Sequence, residues 1–185
     1  MIAGAIPYPD PSLSGTTFLL RPFAPGDFDA AAGFAGDPAT ASSVPPLPAS
    51  DATGVLGFFE QYRQAGELLH LVIADRKHDA YLGEVMLAVG EYRVGELGVG
   101  VVPDARSRGM ATEAFCTFAD WVARTLDLGR LQVLVAPENV PALRVAERAG
   151  FTREGLLRSY WERDGERVDA VMLSLLPGAK VAVPE

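Results

Sequence analysis

Residues 95–123, GELGVGVVPDARSRGMATEAFCTFADWVA, pass from a strand pattern through a basic glycine turn into a helical one. The strand candidate Leu97 to Val102 must stop at Pro103, which has no N–H for a continuing ladder. The turn Arg106-Ser107-Arg108-Gly109-Met110-Ala111 follows. Beyond it Ala111, Ala114, Phe115, Phe118, Ala119 and Val122 recur at three- and four-residue intervals, which predicts a helix with one buried face. A helix opening from a strand through such a turn aims unpaired backbone N–H groups, the positive end of its dipole and two guanidinium groups at one spot. An anion site, most simply for a phosphate, is expected there.

Outward from this unit, Leu68 to Ala74 and Tyr81 to Val89 are apolar runs separated by the polar segment DRKHDA, which predicts a hairpin. Thr16 to Arg21 predicts a first strand, and Asp27 to Phe34 a short helix. A second helix is expected from Asp51, its N-cap, to Gly66. Between them Ala41 to Ser50 holds Pro45, Pro46 and Pro48 and reads as a loop, either a substrate lip or a plain connector. After the central helix, 131–136 predicts a strand closed by Pro137, then a helix from Val140 to Ala149 with Pro141 in its first turn and Gly150 just past its end. Two further strands flank the turn Asp164-Gly165. The expected organisation is an N-terminal arm (1–15), one domain (16–176) and a C-terminal tail (177–185). Its class is α/β (α+β mixed), a mixed sheet of about seven strands flanked by about four helices.

Composition narrows the partners. The 185 residues carry a formal charge of −8, with two lysines beside fourteen arginines, which argues against nucleic acid and suits cationic partners such as amines. The chain has no apolar run of membrane-spanning length and no basic-then-apolar leader at its start, so a cytoplasmic protein with no membrane partner is expected. The single cysteine, Cys116, excludes an intramolecular disulfide and a thiolate zinc site, and its place in the helical pattern reads as structural. No metal is expected. His70 and His78 lack companion ligands and read as ordinary structural or surface histidines.

Gly95, Gly98 and Gly100 lie within a strand, not in the turn before a helix, so they are not a dinucleotide fingerprint. By period two, Glu96, Gly98 and Gly100 share one strand face, a carboxylate beside a nearly bare strip. Such glycines mark either a bulge or the close approach of another chain or a ligand. Neither a G-x-x-x-x-G-K-[ST] loop nor a G-x-S-x-G elbow is present.

The segment V-V-P-D-A-R-S-R-G-M-A-T-E-A followed by N-V-P-A-L-R-V-A-E-R-A-G-F resembles the GNAT acetyltransferase superfamily, in particular its ribosomal-protein N-acetyltransferase (RimJ/RimL-like) branch. T-x-F-L-L-R-P-F near the start and R-x-G-L-L-R-x-Y-W-x-R-D-G-x-R-x-D near the end are similar to the same branch. The resemblance implies a splayed mixed sheet with acetyl-coenzyme A (acetyl-CoA) between the fourth and fifth strands. It implies that the amides of Arg108, Gly109, Met110 and Ala111, within the Arg106 to Thr112 turn that includes Ser107 and Thr112, bind the pyrophosphate. Arg106 and Arg108 would add charge there, and the backbone of Val99, Gly100 and Val101 would pair with the pantetheine arm. Asn139 matches the family asparagine that faces the coenzyme; its other reading, compatible with that one, is a helix cap. Homodimers occur in that branch.

Two positions depart from the family pattern. Where many members place a tyrosine to protonate the leaving thiolate this chain has Ala146, and where some of the ribosomal branch place a serine it has Ala142. The thiolate then takes its proton from water or leaves as such. An amine must be neutral to attack. At pH 7 deprotonation costs about 1.4 kcal/mol for an α-amine and about 4.6 for a lysine, which favours a weakly basic acceptor. Glu96 is the first candidate for the base and Glu84 the second. Two functions follow: an acetyl-CoA-dependent N-acetyltransferase acting on a protein N-terminus or a small amine by direct attack in a ternary complex, or a catalytically silent module that binds the coenzyme as a sensor or scaffold.

Overall fold

The computed structural model describes residues 2, 4–36, 47–106, 108–163, 165–178 and 181. Ser107, Asp164 and most of the proline loop around Pro45 and Pro46 lie outside the described residues. One eight-stranded sheet runs in the order β1-β2-β3-β4-β5-β6-β8-β7. Its strands are β1 (Leu13–Ser14), β2 (Phe18–Arg21), β3 (Leu68–Asp75), β4 (Tyr81–Val89), β5 (Val94–Val101), β6 (Arg130–Val135), β7 (Thr152–Arg163) and β8 (Glu166–Leu175). The helices are α1 (Phe28–Gly36), α2 (Ala52–Gln64), α3 (Met110–Thr125) and α4 (Val140–Arg148). The strand beyond the expected seven is β1, where Leu13 and Ser14 pair with Leu20 and Leu19. The N-terminal segment is also tied in upstream: Ile6 is fully buried, its N–H donates to the Arg63 carbonyl, and its own carbonyl accepts from Arg63 Nη1.

All neighbouring strands are antiparallel except β5 and β6, which run parallel as the α3 crossover requires. Helix α3 buries Ala114, Phe115, Cys116, Phe118, Ala119 and Val122, as the spacing predicts, against Leu71, Val85, Leu87 and Leu97 of the sheet. Burying each phenylalanine there contributes about 2–3 kcal/mol. The opposite face carries α1 and α2, whose Phe34 and Val55 pack on Val72 and Ala74. Asp51 caps α2 through Oδ1, accepting from Gly54 N–H at 2.9 Å.

The strand bearing the bare strip begins earlier than its expected start at Leu97, because the Glu91–Arg93 turn delivers the chain into the ladder at Val94. On its other side β4 contains a special glycine. Gly83 has φ +150°, and a Cβ there would meet the Gly100 carbonyl oxygen at 2.1 Å. Only glycine allows β4 to lie this close to β5.

Candidate active site

The ladder between β5 and β4 is continuous from Gly95↔Val89 to Val101↔Gly83. Toward β6 the pairing holds only at Val94↔Arg130, Gly95↔Leu131 and Glu96↔Gln132. Past Glu96 the two strands part, while β6 stays paired to β8 on its other edge from Leu131 to Val135. Backbone groups of β5 from Leu97 onward therefore face a gap, a ready edge for an extended ligand arm.

A cleft of about 450 Å³ occupies that gap. Phe115 of α3 and Ala142, Val145 and Ala146 of α4 line it from one face of the sheet. Met86 and Ala88 of β4, together with Glu96 and Gly98 of β5, reach it from the other, and Trp161 and Arg163 of β7 add to its wall. The register explains the grouping: Glu84, Met86 and Ala88 stand opposite Gly100, Gly98 and Glu96, and directly opposed residues share a face. The strip is less bare than period two implies, since a Cβ on Gly98 would meet Met86 Cγ at 3.0 Å.

At the mouth of the gap the chain turns through Pro103–Ala105 into α3. Gly109 is the N-cap, with φ +77° and no side chain to cap the helix. The amides of Met110, Ala111 and Thr112 thus have no intrahelical partner, and Glu113 N–H makes the first helical bond to the Gly109 carbonyl. A Cβ on Gly109 would meet nothing within 4 Å, so the space in front of the turn is open. Arg108 is exposed there, whereas Arg106 is half-buried and donates through Nε to the Val101 carbonyl at 3.1 Å. The turn thus brings together the expected anion-site residues other than Ser107. Glu113, the carboxylate of the first turn, is engaged with the N-terminal segment: its Oε1 accepts from the N–H and hydroxyl of Thr16 at 2.6 and 2.9 Å.

Asn139 is the helix cap and also a cleft residue. It caps α4, with Oδ1 accepting from Ala142 N–H at 3.2 Å, and it lines the cleft. Ala142 and Ala146, the positions without a protic side chain, also face the cleft.

The two carboxylate candidates are separated. Glu96 stands where the strands part, half-buried, with Oε2 accepting from Gln132 Nε2 at 3.1 Å. Glu84 is not among the residues lining the cleft; it is 8% exposed and bound within a buried cluster. Its Oε2 lies 2.9 Å from His70 Nε2 and accepts from the Tyr81 hydroxyl at 3.1 Å. His70 stacks on Phe59 of α2 with ring centroids 4.0 Å apart. Burial first, and the Glu84 charge second, push the Tyr81 phenol far above its usual range. His70 is buried, and its attachment to Glu84 is invisible without the β3–β4 register. Burial pushes the Cys116 thiol up to about 11, in keeping with a packing role. Sequence reasoning missed Met86, Gln132, Trp161 and Arg163, none of which belongs to a local motif; for Gln132 the signal was its two-residue phase with Arg130 in a strand.

No helix is long and apolar enough to cross a membrane, and no cluster of metal-binding side chains occurs, among the described residues.

Comparison with known proteins agrees with this architecture. An "Uncharacterized N-acetyltransferase p20" of Bacillus licheniformis is 35% identical over 81 residues, 44% of this chain and 46% of the relative, so the match spans about half of that relative's length. Ribosomal-protein-S5-alanine acetyltransferase from Vibrio fischeri superposes with a TM-score of 0.78 at 17% identity, covering 90% of this chain and 97% of that one. Spermidine N-acetyltransferase from Vibrio cholerae, in complex with CoA and spermine, gives 0.75 at 20% identity, covering 88% and 97%. At these identities the likeness is one of fold. The model of the acetyltransferase (GNAT) domain matches residues 17–152, well over half of the chain, and the protein belongs to the GNAT acetyltransferase family.

Proposed function

We propose that the protein transfers an acetyl group from acetyl-CoA to a primary amine by direct attack within a ternary complex. The observation that carries this reading is the parting of β5 and β6 directly behind an α3 N-terminus without a side-chain cap. The pantetheine arm fits the free edge of β5 at Val99 to Val101, and the pyrophosphate fits the Arg108 to Thr112 turn. Strand N–H groups beside the gap are fixed donors for the negative charge that develops on the thioester oxygen. Glu96, at the closed end of the gap, takes the proton from the amine directly or through water. Ala142 and Ala146 give no acid on α4, so the thiolate leaves unprotonated or takes a proton from water.

The acceptor we favour is an α-amine, as in the ribosomal-protein branch, because it is neutral at lower cost than a lysine. Release of free thiol from acetyl-CoA, followed across N-terminal peptides and small polyamines, tests the proposal. Turnover strongest on an α-amine supports it. Thermal stabilisation by the coenzyme with no turnover on any amine would instead establish a silent binding module.

A further inference from the structure

We propose that Gln132, Arg130 and Glu154 form a relay that orients Glu96 and holds a cation off it, with Gln132 as a positioning residue; the inference rests on the base reading of Glu96 given above. Gln132 is the last β6 residue paired to β5, directly opposite Glu96. Its carboxamide has a defined direction. Arg130 Nε donates to Gln132 Oε1 at 3.3 Å, so the amide must turn its NH₂ outward, and Nε2 donates to Glu96 Oε2 at 3.1 Å. Arg130 is itself fixed by two bonds from Nη1 and Nη2 to Glu154, at 2.9 and 2.5 Å. Glu154 accepts a further bond from the buried Ser174 hydroxyl at 2.6 Å. Those two partners, Arg130 first, hold the Glu154 carboxyl down at about 2, so it remains an anion throughout the working range.

The arrangement keeps a cation away from the base. Arg130, opposite Val94 and two residues from Gln132 on the same strand face, is a diagonal cross-strand neighbour of Glu96, a separation that a long side chain can span. A guanidinium bound directly to Glu96 would occupy its lone pairs and depress its proton affinity. With Arg130 clamped by Glu154, Glu96 receives only a neutral amide donor, which aims the carboxylate without quenching it. The other groups packed around the cleft do not compete: β4 presents Met86 and Ala88, α4 presents Asn139, Ala142 and Ala146, and Arg163 of β7 donates to Glu138. Glu84 is engaged with His70 and Tyr81.

The test compares Gln132→Met and Glu154→Ala with wild type in pH profiles of kcat, with CoA affinity measured by calorimetry. Loss of the amide donor in Gln132→Met should lower kcat about tenfold and move the acid limb to higher pH, with CoA affinity unchanged. Release of Arg130 in Glu154→Ala should move the same limb to lower pH. In a Glu96→Gln background neither change should lower kcat further. Unaltered profiles for both variants while Glu96→Gln is impaired, or equal losses in that background, would overturn the relay alone. Wild-type turnover in Glu96→Gln would overturn the base reading and the relay with it.

Discussion

β5 has two edges with opposite fates. Against β4 it pairs without a break from Gly95 to Val101, closely enough that Gly83 can bear no side chain. Against β6 it pairs at three residues and then separates. The closed edge makes a wall and the open edge makes a site. A strand can offer unsatisfied backbone groups to a ligand only if its other edge and both faces are held by something else, since isolated backbone is costly to leave unpaired. The proposed function sits at the point where sheet formation stops.

The strongest way to break this comparison is at the closed edge. Gly83→Ala forces a Cβ to within 2.1 Å of the Gly100 carbonyl oxygen and 2.8 Å of Val101 Cα, so β4 and β5 must separate. A loss of roughly 3 kcal/mol or more is expected in denaturant unfolding, and a wild-type midpoint would show that the edge is not rigid. At the open edge Glu96→Gln should leave stability and CoA affinity near wild type while lowering kcat about 100-fold in steady-state kinetics. Unchanged turnover would remove Glu96 from its role.

Gly109→Val should weaken CoA binding at least about tenfold by calorimetry, because a branched side chain is strained at φ +77° and projects into the open space before the turn. Retained affinity would place the phosphates elsewhere. The smallest effect concerns the core between the edges. Cys116, buried and with its thiol pushed up to about 11, should resist alkylation by iodoacetamide at pH 8 in the native protein and react fully in denaturant.

The open edge was the more legible of the two. Pro103, the Arg106 to Ala111 turn and the spacing from Ala114 to Val122 located the strand end, the turn and α3 from local chemistry alone. Asn139 was legible for the same reason, since a cap acts within one turn. Interactions set by register were not. The pairing of His70 with Glu84, the cover that Met86 places over Gly98 and the Gln132 bond to Glu96 each join different strands. A shift of one residue in pairing would move all of these side chains to the other face. The two-residue β1 was missed because so short a strand carries no periodicity.

Amide hydrogen exchange with and without CoA tests the central claim most directly. If the coenzyme lies where β5 and β6 part, protection should rise at Leu97 to Val101 and at Met110 to Thr112, with β2 and β3 unchanged. Protection confined to a separate cavity of about 510 Å³ lined by Leu126, Leu128 and Leu175, or no change in β5 and α3, would contradict it.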